Sequence, residues 1–299
     1  MKKVRVEAST KKDRTSEIFG NPMSKKVIRK AQKSKQKNQK KYGDDSKVNY
    51  QCIIRDNPCI GEPLGVKNVV VTRKEGKGSF DEEKGVIVGN IRMGFGHYRI
   101  SMAIASAAHA LGYTPYWMDL NSYPETTCTK LISAQNELYS LGSRISQKSK
   151  LFNKFVWEPV NYEGFRQLSY NATDQKNAEL MAPVYHSVPK DIPVIATHVW
   201  PAQAAVHAGM KHVVNAIPDN WPMALHYAQG SLHTVQTHYA YQGYRIGNGM
   251  MKDKVVQAMP PQDLMYTGHY IDHELAANIE KDCETRLSRL KNGEAMRFL

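Results

Sequence analysis

Short apolar runs alternate with longer segments of helical spacing over much of the chain. The run 86–91 is β-branched and bounded by turn residues, and the runs 68–72 and 116–120 have the same character, so each predicts a strand. An Ala-rich segment begins at Tyr98, and apolar residues recur at helical spacing within 128–180. Strands that alternate with helices predict an α/β domain with a mostly parallel sheet.

The motif that joins the strand 86–91 to the Ala-rich helix gives the most specific indication of a functional site. Gly94 and Gly96 predict a tight turn, and His97 follows at the mouth of the helix. A helix start favours an anion or a polarised oxygen, and imidazole titrates near neutrality, so His97 is a candidate general base. Such turns also occur for purely geometric reasons, and the motif alone leaves both interpretations open.

Two further positions at predicted strand ends are candidates for binding. Asp119 ends an apolar strand, where ligands bind in open parallel sheets, although a cap or surface charge would have the same pattern. Trp221 follows Asp219, and its ring could pack against a sugar or an acyl chain, or at the edge of the core. The pairs His269 with His273 and His233 with His238 lack the acidic or cysteine partners of a zinc motif, so no metal site is predicted.

Several motifs together resemble the amino-terminal domain of the GT-B glycosyltransferases that make glycolipids. They are Gly94-Phe95-Gly96-His97 with its helix, the strand ending in Asp119, and the segments 193–202, 213–221 and 266–269. The pattern is most similar to the monogalactosyl- and diglucosyl-diacylglycerol synthases and to the N-acetylglucosaminyltransferase of the peptidoglycan lipid precursor. Its order and spacing agree from about Gly85 to about Leu275.

The resemblance implies transfer of a hexose or N-acetylhexosamine from a nucleoside diphosphate sugar, expected to be a UDP-sugar, to a lipid or other hydroxyl acceptor. His97 would be the base, and Asp219 or Asp119 would orient its ring. No cofactor bound by the chain is expected. The residues expected to contact substrate are Gly94, Phe95, Gly96, Tyr98, Arg99, Ser101, Asp119 and Trp221.

The sequence departs from the family pattern at three places. Phe95 replaces a usual glycine, Pro218 replaces a usual threonine, and no proline follows His269. The acceptor therefore cannot be inherited from any one relative. Two alternatives stay open: an enzyme like the nucleotide-sugar 2-epimerases, which needs several carboxylates at the sugar carbon, and a non-catalytic binding adaptor built on a degenerate transferase half.

Charge is concentrated at the amino terminus. Residues 1–50 hold sixteen Lys or Arg and five Asp or Glu, a net of +11 of the chain's +13. Because 25–41 has too few apolar residues for an amphipathic stripe, a basic tail that is disordered or loosely helical is expected. The tail could be a solvated segment that only aids solubility; as a binding segment, its expected partner is an anionic membrane surface, and scarce aromatic residues disfavour nucleic acid. Scattered cysteines and the lack of a secretory signal favour the cytoplasm, with peripheral attachment at the inner face of the membrane.

These observations divide the chain into four parts. Residues 1–50 are the basic tail, 51–84 an extension packed on the sheet, and 85–271 the α/β domain. Residues 272–299 are expected to form a linker helix, capped by Asp272, and a first strand at 295–299 of a further donor-binding domain or subunit. The chain is thus expected to be the amino-terminal half of an enzyme and to bind a sugar nucleotide poorly by itself.

Overall fold

A computed structural model of the protein describes residues 13–74, 76, 78–247, 249–251, 254 and 256–295. The strands are β1 (Glu17–Ile18), β2 (Asn21–Pro22), β3 (Gln51–Asp56), β4 (Lys67–Thr72), β5 (Gly85–Asn90), β6 (Thr114–Asp119), β7 (Val194–Ala196), β8 (Val213–Ala216), β9 (Leu232–Val235) and β10 (Leu264–Tyr266). The α-helices are α1 (Lys25–Tyr42), α2 (Gly61–Leu64), α3 (Phe95–Ala110), α4 (Thr127–Lys148), α5 (Lys150–Phe152), α6 (Leu168–Ala178), α7 (Val199–His207), α8 (His238–Ile246), α9 (His273–Ala277) and α10 (Ile279–Lys291).

Eight strands form one sheet in the order β10-β9-β8-β7-β5-β6-β4-β3. All neighbouring pairs are parallel except β3 with β4, so the prediction of an α/β domain with a mostly parallel sheet is confirmed. Helices cover both faces, as a parallel sheet requires, because its strands are buried on both sides. The small pair β1 and β2 stands apart as an antiparallel hairpin.

Strand β5 lies at the centre of the fold, and all six of its residues are buried. Ile87 pairs with Tyr116 on one side and with Val194 on the other. Gly89 permits a close approach, because a Cβ there would lie 3.3 Å from both the Pro201 side chain and the Tyr185 hydroxyl. A larger residue would therefore require Pro201 of α7 and Tyr185 to move by a few tenths of an ångström.

The chain reverses its direction of travel across the sheet at β5. It leaves β5 for β6 on one side and later returns to β7 on the other. In open parallel sheets such a reversal opens a crevice at the carboxyl ends of the two central strands, and ligands bind there. Helices α3 and α7 both begin at this crevice.

The amino-terminal segment is ordered over the described residues, so the expectation of a disordered tail is wrong for residues 13–50. Helix α1 is capped by the Ser24 hydroxyl, which accepts from the Val27 N–H at 3.3 Å, and Ala31 is fully buried. The helix packs against α6, where the Asn38 amide donates to Asn177 Oδ1 at 3.0 Å and Lys35 lies 2.6 Å from Glu179. Val27 and Ile28 add apolar contacts with a buried cluster that includes Leu168 of α6, so a short apolar patch and polar partners together hold the helix. Residues 1–12 lie outside the described residues.

The segment 51–84 completes the sheet; it does not lie against a face of it. Strand β4, expected at 68–72, pairs parallel to β6, and β3 adds an antiparallel edge. Cys52 and Val71 pair across this edge and are both buried in the main core. The extension therefore supplies two of the eight strands.

The expected carboxyl-terminal helix is divided in two at Asn278, between α9 and α10. Asp272 precedes α9 but makes no side-chain cap; its carboxylate lies 3.0 Å from the Arg99 guanidinium. A strand was expected at 295–299, but of these residues the structure describes only Ala295. Within the described part of the chain, no helix combines the length and the apolar character needed to cross a membrane.

Docking of α1 can be tested through the buried Ala31. Ala31→Glu should lower the free energy of unfolding by about 1–3 kcal/mol, because the larger charged side chain cannot fit against α6. Denaturant titration followed by circular dichroism measures this change. Gln32→Glu is the control, because it adds the same single negative charge at the neighbouring exposed position. It should change the free energy of unfolding by less than about 0.5 kcal/mol. Equal effects of the two substitutions would mean that α1 is not docked.

Candidate functional site

The glycine loop lies at the carboxyl end of β5, beside the crevice. Gly94 precedes α3 with φ at +94°, a value that favours glycine, and no side chain caps the helix. A Cβ on Gly94 or Gly96 would meet no protein atom within 4 Å, so the space above the loop is open. The first turn of α3 therefore presents backbone N–H groups to an accessible volume.

His97 is held in one orientation across the crevice. Its Nδ1 lies 2.6 Å from the carbonyl oxygen of Thr197, which directly follows β7. A carbonyl can only accept a hydrogen bond, so Nδ1 carries the proton, and in the neutral ring Nε2 keeps its lone pair. The expectation that Asp219 or Asp119 accepts from this ring is wrong, because the Thr197 carbonyl occupies that role.

A second contact ties the same two elements together below His97. The fully buried Ser101 hydroxyl donates to the His97 carbonyl at 2.9 Å and lies 2.8 Å from the Thr197 hydroxyl. Since the Ser101 proton is used on the carbonyl, Thr197 donates to Ser101. Ser101 thus holds the backbone of His97 in place. Its hydroxyl is buried, so the expected contact with a substrate is not possible in this structure.

The electrostatic balance at His97 favours the neutral imidazole. Burial lowers its pKa below the ordinary value of 6.5, while the bond to the Thr197 carbonyl and the negative charge of Asp219 oppose the shift without reversing it. A ring that is neutral at pH 7 and has a free lone pair at Nε2 can accept a proton from a bound hydroxyl.

His198 lies next to His97, with ring centroids 4.9 Å apart and the planes nearly perpendicular. Its Nδ1 accepts the Trp200 N–H at 3.2 Å and so caps helix α7. Burial lowers the pKa of His198 well below 6.5, and the ring is neutral at pH 7. Sequence analysis did not select His198, although it comes two residues after the last residue of β7, at the crevice edge of the sheet.

Asp219 lies in the loop after β8 and belongs to a second cluster. Its Oδ2 is 3.1 Å from His226 Nε2, and His226 Nδ1 is 2.7 Å from the Tyr244 hydroxyl. The bond from His226 lowers the pKa of Asp219 below its ordinary value, so the carboxylate is ionised at neutral pH. Its side chain is 56 % exposed, and its charge acts on His97. His226 and Tyr244 were not predicted as site residues; their partnership with Asp219 arises only on folding.

Trp221 is partly exposed and has aromatic neighbours. Its ring lies 5.5 Å from that of Tyr162 and 6.2 Å from that of Tyr239, at tilts of 33° and 36°. All three rings are at least 38 % exposed. The Arg166 guanidinium also lies 5.8 Å from the centre of the Trp221 ring. The exposed parts of these rings can pack against a sugar ring or an acyl chain.

Four other residues expected to contact substrate have different surroundings. Phe95 is 87 % exposed and Arg99 pairs with Asp272. Tyr98 packs against Trp117, with ring centroids 5.2 Å apart. Asp119 bonds to Arg92 Nε at 2.8 Å and to the loop that follows it. Asp119 is buried and organises the turn after β6, which neither the ligand-binding interpretation nor the alternative of a cap or surface charge predicted.

The histidines considered for metal binding have other partners. His233 accepts from the Ala228 N–H at Nε2 and donates to the Asp263 carbonyl at Nδ1. His238 stacks on Tyr266 with ring centroids 4.1 Å apart. Among the described residues, no group of three or more His, Cys, Asp or Glu side chains is placed to hold a metal ion.

A buried carboxylate supports the site from the far side of α7. The Trp200 indole N–H donates to Asp174 Oδ2 at 3.2 Å, and the Trp200 ring lies 4.8 Å from that of His198. Because burial disfavours the ionised carboxylate by more than the bond from Trp200 favours it, the pKa of Asp174 is raised to about 7. Asp174 therefore titrates in the physiological range while it remains inside the protein.

Fold and site together define an α/β protein with a histidine-lined crevice at the carboxyl edge of a parallel sheet. The chain belongs to the family described as "Domain of unknown function (DUF6937)", which matches residues 17–246. Residues 259–299 match a second family, "Domain of unknown function (DUF6938)". This second match begins before β10, so it includes the last strand of the sheet. Neither the curated proteins nor the solved structures that were searched contain a match to the chain.

The titration of Asp174 gives a prediction with a definite sign. Its pKa is about 7 in the folded protein and 3.8 when unfolded, so the folded state holds a proton that the unfolded state loses as pH rises from about 4 to about 7. Stability from this group is lost as pH rises through that window, by about 4 kcal/mol in all. Asp174→Asn keeps an acceptor for Trp200 but cannot ionise. The variant should therefore gain stability relative to the parent between pH 5 and pH 8.5.

Denaturant titrations at the two pH values measure the gain for Asp174→Asn. Asp191→Asn is the matched control, because Asp191 is exposed and pairs with Lys211. Its stability difference from the parent should be nearly constant between the two pH values. A constant difference for Asp174→Asn as well would show that Asp174 does not titrate in this range.

Proposed function

We propose that this protein is the acceptor-side half of a glycosyltransferase that transfers a hexose or N-acetylhexosamine from a nucleoside diphosphate sugar to a hydroxyl, with a lipid as acceptor. The observation that carries the proposal is His97, a neutral imidazole whose Nδ1–H is fixed on the Thr197 carbonyl. The proposal also rests on the resemblance of the glycine loop and later motifs to the GT-B enzymes. The strand order around β5 supports it, because it is compatible with the Rossmann-like domain of that family.

The proposed chemistry is a displacement at the anomeric carbon. The acceptor oxygen forms a bond to that carbon as its proton passes to His97 Nε2, and the bond to the diphosphate oxygen breaks. The diphosphate leaves with the electron pair. Asp219 acts through charge: the carboxylate favours the imidazolium that forms during the transfer. Inversion at the anomeric carbon is implied by the resemblance alone.

The donor is expected to be bound mainly by a second domain or subunit, which would also stabilise the leaving diphosphate. On this chain the open space over Gly94 and Gly96 is available to part of the donor or acceptor. The partly exposed rings of Trp221, Tyr162 and Tyr239 offer a surface for sugar or acyl groups. The 2-epimerase alternative needs several carboxylates at the sugar carbon. Among the described residues, Asp219 is the carboxylate whose charge acts on His97, and this arrangement favours the transferase.

A lipid acceptor requires contact with a membrane, and the surface of the protein supports such contact. Helix α1 carries nine Lys or Arg and no acidic residue. Helix α4 and the turns after it expose apolar side chains, among them Leu138 at 69 %, Leu151 at 72 % and Phe155 at 67 %. Basic residues attract anionic headgroups, and exposed apolar residues can enter the interface between headgroups and acyl chains. We propose that the protein acts in the cytoplasm, attached peripherally to the inner face of the membrane.

Replacement of the proposed base tests the chemistry. Assayed together with its donor-binding partner domain or subunit, His97→Gln should lower the rate of sugar transfer about 10²-fold or more and leave the KM for the donor nearly unchanged, because the lost group acts on the acceptor proton. Transfer from radiolabelled UDP-sugars to dioctanoylglycerol in mixed micelles measures both quantities. His212→Gln, on an exposed histidine at the far end of β8, is the control and should retain parental activity. Activity of His97→Gln within a few fold of the parent would remove His97 from the mechanism.

Neutralisation of α1 tests the membrane surface. Lys26, Arg29, Lys33 and Lys37 are exposed, and their joint replacement by Gln should weaken binding to vesicles of phosphatidylcholine and phosphatidylglycerol at least about tenfold. Sedimentation with the vesicles at low and high salt measures the binding. Lys67, Lys281, Arg286 and Lys291 are also exposed, and their replacement removes the same charge elsewhere. Equal losses in both variants would assign the attraction to net charge and not to α1.

A further inference from the structure

We infer that His97 and His198 together form a hydroxyl-binding site, in which His97 Nε2 accepts the proton of an alcohol and His198 Nε2–H donates to the oxygen of the same group. The inference deepens the proposed function and rests on it for the identity of the reaction. The recognition it describes stands on the hydrogen bonds of the two rings. His198 thereby becomes a substrate-contacting residue, beyond the base itself.

The tautomer of each ring follows from what its Nδ1 contacts. His97 Nδ1 faces the Thr197 carbonyl at 2.6 Å, so it must donate, and the lone pair is left on Nε2. His198 Nδ1 faces the Trp200 N–H at 3.2 Å, so it must accept, and the proton is left on Nε2. Two neighbouring imidazoles therefore hold opposite tautomers, one with a free acceptor and one with a free donor.

The donor on His198 is not used by the protein. Among the described residues none accepts a hydrogen bond from its Nε2, although the residue is only 8 % exposed. Nε2 of His198 is not among the fully buried side-chain nitrogen and oxygen atoms that lack a partner, so solvent or a ligand can reach it and accept this hydrogen bond. The ring of His97, whose Nε2 is also free, has its centroid 4.9 Å away.

The chemistry of this pair selects one class of ligand group. A hydroxyl has one proton to give to His97 and lone pairs to accept from His198, so it satisfies both rings at once. A carboxylate has no proton for His97, and an ammonium group has no lone pair for His198. A neutral ring at both positions also offers no charge to either ion. The site should therefore prefer an alcohol over an acid or an amine of the same size.

The fold holds this pair rigidly. Thr197 and His198 are consecutive, so one stretch of backbone supplies the carbonyl that orients His97 and the donor ring beside it. The Thr197 N–H donates to the Gly89 carbonyl at 3.0 Å, which anchors the stretch on β5. The His198 ring is also packed against Trp200, with centroids 4.8 Å apart. A donor placed by a strand end and a helix cap loses little entropy when it binds.

The tautomers are tested first, without any substrate. In protein labelled with ¹⁵N-histidine, long-range ¹H–¹⁵N correlation at pH 7.5 should show the Nδ1–H form for His97 and the Nε2–H form for His198. Assignment uses His97→Gln and His198→Asn. An Nδ1–H form at His198 would overturn the inference, since its free nitrogen would then be an acceptor.

Ligand class is tested with three probes that differ only in the head group: 1-octanol, octylamine and octanoate. Octanol should shift the free Nε2 resonances of both His97 and His198, and the other two should leave them nearly unchanged. This result does not depend on sugar transfer, so it separates failure of the inference from failure of the proposed function. Equal shifts with all three probes, or shifts with none, would overturn the hydroxyl site.

A pair of substitutions separates the donor role of His198 from its role as helix cap. Asn can replace Nδ1 as the cap of α7 but does not reach the position of Nε2, whereas Gln can place an amide N–H near Nε2 and gives up the cap. In the transfer assay, His198→Asn should lower kcat/KM for the acceptor about tenfold, the scale of one hydrogen bond, and leave thermal stability close to the parent's. His198→Gln should lose stability and recover part of the acceptor kcat/KM.

The opposite pattern would assign His198 to capping alone: parental kcat/KM for His198→Asn and a loss confined to His198→Gln. That pattern would overturn the inference while the proposed role of His97 stood. If the parent protein transfers no sugar to any acceptor, the same two variants are compared by octanol titration. There His198→Asn should raise the octanol concentration needed for the half-maximal shift at His97 about tenfold, and an unchanged titration would overturn the inference.

Discussion

The hydrogen bond from His97 Nδ1 to the Thr197 carbonyl is the interaction on which the candidate site depends. It joins the start of α3, which follows β5, to the start of α7, which follows β7. These two strands are neighbours only because the chain reverses its direction across the sheet at β5. The register sets Gly89 opposite Ala196, so Thr197 comes just beyond the strand pair and its carbonyl meets the ring. The same backbone stretch then places His198 beside His97.

Burial and hydrogen bonding control the chemistry here more than charge does. His97 and His198 are both held neutral, mainly by burial, and each has its tautomer set by a backbone group. Asp219 provides an ionised carboxylate nearby, kept in place by His226 and, through it, by Tyr244. A neutral acceptor, a neutral donor and one adjacent negative charge suit the removal of a proton from an alcohol, because the imidazolium that forms is stabilised.

The amino-terminal helix shows how a highly charged segment can still be part of a fold. Along α1 the apolar residues are few. The helix is held by the buried Ala31, by Val27 and Ile28, which pack against a buried cluster that includes Leu168 of α6, and by polar contacts of Asn38 and Lys35. This arrangement leaves most of the basic side chains in solvent on an ordered scaffold. Lysines on a docked helix can act as one surface, whereas those of a disordered chain must lose conformational entropy before they bind together.

Local pattern determined much of the fold and part of the site. The β-branched run at 86–91 and the Ala-rich segment after His97 are decisive for β5 and α3, because strand and helix preferences act over a few residues. The conformational need for Gly94 and the place of His97 at the helix start were readable for the same reason. Only the tertiary structure decided which group orients His97, since Thr197 is distant in sequence and reaches it through the order of the sheet.

The same distinction explains the missed residues. His198, His226 and Tyr244 have no local motif, and they become partners of His97 and Asp219 when α7, β8 and α8 assemble. Asp119 and Arg99 are charged residues at positions where the sequence predicts ligand contacts. In the folded protein Asp119 forms an ion pair with Arg92, and Arg99 forms one with Asp272. Sequence alone thus indicated β5, α3 and the position of His97 at the start of that helix. The partners of each polar side chain were decided by packing, because hydrogen bonds join atoms that are close in space and not along the chain.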